Sequence, residues 1–187
     1  MKKIAEESLK VKKRFFEDDK NLEAISQAVE TIVKSCNDGG KVLIFGNGGS
    51  AADSQHMAAE LVVRFEKERK AFPCIALTTD SSILTATSND YNFESIFSRQ
   101  IEALGNVGDI VIAISTSGNS KNVIKGVKAA KAKEVKVIAL TGKDGGELLS
   151  MADIAINVDV ENTARVQEVH ITVIHIICKL VEDSFIL

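Results

Sequence analysis

Two short loops carry the groups in this chain best suited to chemistry. Gly46-Asn47-Gly48-Gly49-Ser50 follows the apolar run Val42–Phe45, and Ser115-Thr116-Ser117-Gly118-Asn119-Ser120 follows Ile110–Ile114 and precedes a helical pattern. Hydroxyls and free backbone N–H groups where a strand gives way to a helix form an anion site. The helix end supplies partial positive charge, so no basic side chain is needed in the loop. Each loop also has a plainer reading, Gly48-Gly49 as a tight turn and Ser120 as an ordinary N-cap. Together they point to a small phosphorylated ligand. The other common phosphate patterns fail. No Gly-Lys-Ser/Thr occurs, and Ala51 stands where the last glycine of a dinucleotide fingerprint would be.

A second set of residues is suited to proton transfer or cation binding. His56 and Glu60 lie four apart on an expected helix and so share a face, where such a pair can grip one cation. His175 sits among Ile171, Ile174, Ile176 and Ile177, which suits a buried core or interface histidine as well as a site residue. Arg64, one turn beyond Glu60, is placed either to pair with it or to face solvent.

The elements that must position these residues alternate. Residues 5–18 read as an amphipathic helix. A second helix carries Leu22, Ile25, Val29, Ile32, Val33 and Cys36 until Gly39-Gly40 stops it. Strands follow at 41–45, 74–78, 110–115, 135–140 and 154–158. Helices are expected at 50–64, shortly after residue 78, and at 94–104, 120–133 and 163–184. Alternating strands and helices imply βαβ units and a parallel sheet, and strands apolar on both faces imply helices on both sides. The expected fold is a three-layer α/β/α sandwich over residues 1–187. Its five-stranded parallel sheet has the order 2-1-3-4-5, with N-terminal helices and a long C-terminal helix. That winding puts the switch point between the first and third strands, the two that lead into the loops, and ligands bind outside the carboxyl ends there.

Composition narrows the class. The chain has 187 residues, 45% hydrophobic and 26% charged, with one proline and a net charge of −3. This fits one globular domain with a sizeable core and does not favour a nucleic-acid backbone as partner. Cys36, Cys74 and Cys178 are odd in number and lack C-x-x-C spacing, which argues against a disulfide framework and for buried thiols in a reducing cytosol. Glu6 and Glu7 occupy the place of an apolar signal core, so a cytoplasmic location is expected. The most apolar stretch, Ile171 to Val181, is interrupted by His175 and Lys179 and is too short for a membrane span.

The two loops, with His56, Glu60, Ser88-Asn89-Asp90, Thr141-Gly142-Lys143-Asp144-Gly145-Gly146 and the stretch from Gln167 to His175, resemble the sugar isomerase (SIS) domain family over nearly the whole chain. His56 and Glu60 combined with Gln167 and His175 resemble its phosphoheptose isomerases in particular. The resemblance implies an aldose–ketose isomerase acting on sedoheptulose 7-phosphate, a cytoplasmic homotetramer with active sites between subunits, and one zinc ion per subunit. It implies metal ligands at His56, Glu60, Gln167 and His175. It also implies substrate contacts at Asn47, Gly48, Gly49, Ser50, Asn89, Asp90, Ser115, Thr116, Ser117, Ser120 and Gln167.

On chemical grounds Glu60 is the candidate base for an enediol route, and His175 the partner that moves protons on oxygen. Nitrogen and oxygen ligands suit zinc. Gln167 and His175 are eight apart, about 12 Å along an ideal helix, too far for one ion. Either the helix starts irregularly near Gln167, or the ligands come from different copies of the chain. The competing reading is a non-catalytic phosphosugar-binding module that recruits a protein partner such as a replication initiator.

Overall fold

The computed structural model describes residues 1–185. Two helices come first, α1 (Lys2–Phe16) and α2 (Asp19–Asn37). The sheet is built from β1 (Val42–Gly46), β2 (Cys74–Ala76), β3 (Ile110–Ser115), β4 (Lys136–Gly142) and β5 (Ile154–Val158). Between the strands lie α3 (Gly49–Val62), α4 (Ser81–Asp90), α5 (Ser98–Leu104), α6 (Lys121–Ala132) and α7 (Gly146–Met151). The long α8 (Thr163–Asp183) closes the fold.

All four strand pairings are parallel and the order is β2-β1-β3-β4-β5, as the alternating pattern predicts. Side chains alternate across the sheet with period two. Val42, Ile44, Ile110, Ile112 and Ile114 enter one core with residues of α2, α3 and α8. Leu43, Phe45, Val111 and Ala113 enter the other with residues of α5, α6 and α7. β1 and β3 are buried along their whole length. Their register, Val42 opposite Ile110 through Gly46 opposite Ile114, ends both strands at the same level, so the two following loops start side by side.

Two local readings differ from the structure. The stretch read as one helix over 94–104 is a 3-10 turn, Phe93–Ser95, followed by α5. Ser95 N–H and Oγ both bond back to Asn92, which closes a three-residue turn that a 3.6-residue period cannot continue. The sequence reading also missed α7, whose six residues give fewer than two turns of periodicity. The cysteines are free thiols, Cys74 and Cys178 buried. No described helix is long and apolar enough to cross a membrane.

Candidate active site

The two loops close over one cavity of about 280 Å³. The first contributes Asn47 to Ser50, the second Ile114 to Thr116 and Ser120, and the start of α8 adds Thr163 and Gln167. Gly48 is the N-cap of α3, at φ +56°, a backbone conformation open to glycine at little cost. A Cβ on Gly49 would strike the Gln167 amide, so this glycine lets α8 approach the loop. Neither α3 nor α6 has a side-chain cap at its N-terminus. Ser120, the N-cap of α6, instead accepts a 3.0 Å hydrogen bond from the Ser115 hydroxyl. In α3 the Ser50 and Ala51 N–H groups bond back to the Asn47 and Gly48 carbonyls, and in α6 Val123 N–H bonds to Asn122, which leaves the N–H groups of Gly49, Lys121 and Asn122 for a ligand, with hydroxyls around them and no Lys or Arg in the lining. An anion held there rests on dipoles and neutral donors.

Asn47 is fixed by a reciprocal amide pair with Asn122, 2.8 Å in both directions, and Asn122 Oδ1 also accepts from Val123 N–H at 3.0 Å. The sequence reading missed Asn122, although an amide two residues inside α6 beside a glycine-rich loop is a signal for such a clamp. It missed Thr163 as well. Ser117 lies outside the cavity lining, and its Oγ accepts from Asn119 N–H at 3.2 Å. Asn89 and Asp90 are exposed at the end of α4, where the Asn89 amide donates to Asp90 Oδ1 at 2.8 Å. The structure brings neither into the cavity.

The second cluster lies farther along α3 and α8, which pack side by side and run in parallel. Gly49 meets Gln167, then His56 meets His175, and the chain just past α3 meets Glu182. His56 Nε2 and His175 Nε2 are 2.8 Å apart, so one nitrogen carries the proton and the other accepts it. Glu60 Oε1 is 3.6 Å from His56 Nε2. The Phe65 ring lies 5.7 Å from the His175 ring at 34°. His175 thus faces His56 from within its isoleucine-rich stretch. Asp53, one turn before His56, has Oδ2 buried without a partner. Burial raises its pKa above the ordinary carboxylate value, and nearby His56 opposes the rise. Arg64 is exposed and forms no ion pair with Glu60 among the described residues.

Two imidazoles and a carboxylate match a zinc donor set with an open position. No three such side chains already stand in ligand geometry among the described residues. Two bonds of about 2.0–2.1 Å at a tetrahedral angle require nitrogens about 3.3 Å apart, so the imidazoles fit an ion after opening by about 0.5 Å. Gln167 is not beside them. α8 is regular from Thr163 onward, with Asn162 accepting from Ala164 N–H as its cap. The irregular-start reading therefore falls, and Gln167 lies about 12 Å along the axis from His175.

A family model described as the SIS domain matches residues 5–142. The phosphoheptose isomerase of Thermodesulfovibrio yellowstonii is 54% identical over 183 residues, 98% of this chain and 90% of the relative. Two solved structures superpose closely. The phosphoheptose isomerase of Neisseria gonorrhoeae has a TM-score of 0.91 at 44% identity over 97% of this chain and 98% of that one. That of Francisella tularensis has a TM-score of 0.93 at 40% identity over 97% and 96%. The chain belongs to the SIS-domain family, on its phosphoheptose isomerase branch. In this SIS domain the loop cavity and the His56–Glu60–His175 cluster share α3 and α8 as their scaffold.

Proposed function

We propose that this sugar-phosphate isomerase interconverts sedoheptulose 7-phosphate and D-glycero-D-manno-heptose 7-phosphate, providing heptose for bacterial surface glycans such as lipopolysaccharide. The observation that carries this reading is the single cavity shared by both loops, from which α3 and α8 run directly to a carboxylate and two facing imidazoles. The 54% identical relative named phosphoheptose isomerase supports the choice of substrate.

The phosphate enters the loop cavity and accepts hydrogen bonds from Thr116, from Ser120, from the Ser115 hydroxyl once it turns away from Ser120, and from the N–H groups of Gly49, Lys121 and Asn122. Asn47, held by Asn122, offers its amide to sugar hydroxyls. Glu60 removes the proton that moves between C1 and C2, and His175 carries the proton between the two oxygens as the enediol forms and collapses. The 3.6 Å contact to His56 uses only one oxygen of Glu60, so the other remains for the carbon proton. When bound to His56, Glu60 and His175, zinc supplies Lewis acidity at the sugar oxygens.

A metal site that also uses Gln167 takes it from another copy, because no straight helix joins Gln167 and His175 at one ion. We place the complete site between subunits of a cytoplasmic homotetramer. The phosphate loops and Gln167 of one copy then face His56, Glu60 and His175 of the next. The test is incubation with sedoheptulose 7-phosphate, following aldose formation with and without a chelator. Turnover that the chelator abolishes and zinc restores is expected. Tight phosphosugar binding without turnover overturns the enzyme reading in favour of a binding module.

A further inference from the structure

The connection from α3 to β2 runs irregularly from Val63 to Pro73, and one buried carboxylate shapes it. Glu182, in the last turn of α8, is fully buried and accepts the backbone N–H groups of Phe65, Glu66 and Lys67 at 3.0, 2.9 and 2.9 Å. Arg69 folds in behind, its side chain only 3% exposed, with Nε 3.4 Å from Glu182 Oε1 and the guanidinium 4.2 Å above the Phe72 ring. Its two terminal nitrogens point back at α3. Nη2 donates to the Glu60 carbonyl at 2.7 Å and Nη1 to the Leu61 carbonyl at 2.8 Å. These carbonyls belong to the last turn of α3, where the helix offers no further N–H; Leu61 also accepts from Phe72 N–H at 3.1 Å, whereas Glu60 has the guanidinium. The guanidinium therefore caps the turn that carries Glu60. On the other side, the three N–H bonds to Glu182 hold Phe65, whose ring lies against His175.

We propose that Arg69 and Glu182 are positioning residues for the isomerase, bracing Glu60 and His175 against each other through the α3 cap and the Phe65 ring. The inference rests on the reading of Glu60 and His175 as the proton-moving pair. A loop staple alone would need the carboxylate and its three N–H bonds. It would not need guanidinium donors on the carbonyls of both Glu60 and Leu61. The fork is what a guanidinium provides and an ammonium does not.

Arg69→Lys separates the two roles, since it keeps a charge for Glu182 and loses the paired reach to Glu60 and Leu61. Small displacements of reacting groups lower turnover steeply, so kcat should fall roughly 10- to 100-fold. KM should stay within about twofold, because Arg69 bonds to no residue that lines the phosphate cavity. In the ¹⁵N imidazole spectrum the signals of His56 and His175 should shift or broaden, while that of His170 stays put. Asp153→Asn is the control. Asp153 accepts from Lys131 and from Val137 N–H away from the site, and its loss should lower the unfolding temperature without altering kcat or the imidazole signals. Should Arg69→Lys fail to fold, Phe65→Leu gives the same readouts with the backbone N–H bonds intact. Unchanged kcat and unchanged His56 and His175 signals in a folded variant overturn the proposal. If the parent protein does not isomerise sedoheptulose 7-phosphate, the isomerase reading fails, and the imidazole spectrum alone decides whether the brace holds the pair.

Discussion

Protonation of His170 should set much of the acid stability of this fold. His170 is fully buried on α8, and its Nε2 donates to the Thr141 carbonyl at 2.9 Å. A carbonyl only accepts, so Nε2 carries the proton and Nδ1 is bare. Nδ1 has no partner, so a second proton would be a buried, unsolvated charge. Burial pushes the pKa down from 6.5 to about 4, and the bond to Thr141 opposes only part of that. Below pH 6.5 the unfolded chain takes up a proton that the native state refuses, so stability falls as pH drops and levels off near pH 4. The full span is about 3 kcal/mol at 1.36 kcal/mol per pH unit. Between pH 7 and 4.5 the larger part of it, about 2 kcal/mol, is realised by the same linkage. Urea unfolding of the parent and of His170→Gln, whose amide keeps the donor to Thr141, should give stability curves that approach or cross by this amount across that range. Parallel curves would refute the reasoning, because they would mean that the native state accepts the proton as readily as the unfolded chain does.

Three further outcomes follow from the site. Ser115→Ala and Ser120→Ala should each raise KM about 10- to 100-fold, from hydrogen bonds to a charged group contributing roughly 1.5–3 kcal/mol. The double variant should cost less than the product, since the two hydroxyls bond each other; steady-state kinetics on all three checks it. Glu60→Gln should lower kcat about 10²- to 10⁴-fold in folded, zinc-loaded protein, and near-normal turnover would remove it as the base. Mixing Ser115→Ala/Ser120→Ala chains with inactive His175→Gln chains, then allowing subunits to exchange, should restore turnover at substrate concentrations far below the KM of the double serine variant. A mixture that stays dead would place the loops and the cluster of each site within one copy.

Much of this was legible because the signals are local. An apolar strand ending in glycine or serine announces both the strand and the loop, and the 2-1-3-4-5 winding puts the first and third strands side by side, which is why two distant loops could be assigned to one site. Helix α7 and the break before α5 were not legible, because each is shorter than the period that would reveal it. The position of His175 was ambiguous for a different reason. Its apolar neighbours fit a core or a site equally, and only His56, 119 residues away, decides between them. Arg69 was hidden inside a charged run that looks solvated, and what buries it is Glu182, an acid at the end of a helix far along the chain.

The pairing of α3 with α8 explains why these distant signals converge. Both helices follow strands of one parallel sheet and lie on the same face, so they run in the same direction. Parallel helices keep their sequence offsets in step. Gly49 opposite Gln167 fixes the level at which His56 meets His175, and that in turn leaves the chain past Val62 level with Glu182. The loop cavity at the helix starts, the imidazole pair in the middle and the Glu182-bound connection at the end are therefore one packing decision, set at Gly49. A side chain there would push α8 away from the loop. It would disturb the imidazole pair seven residues downstream as well as the cavity, although Gly49 touches neither histidine.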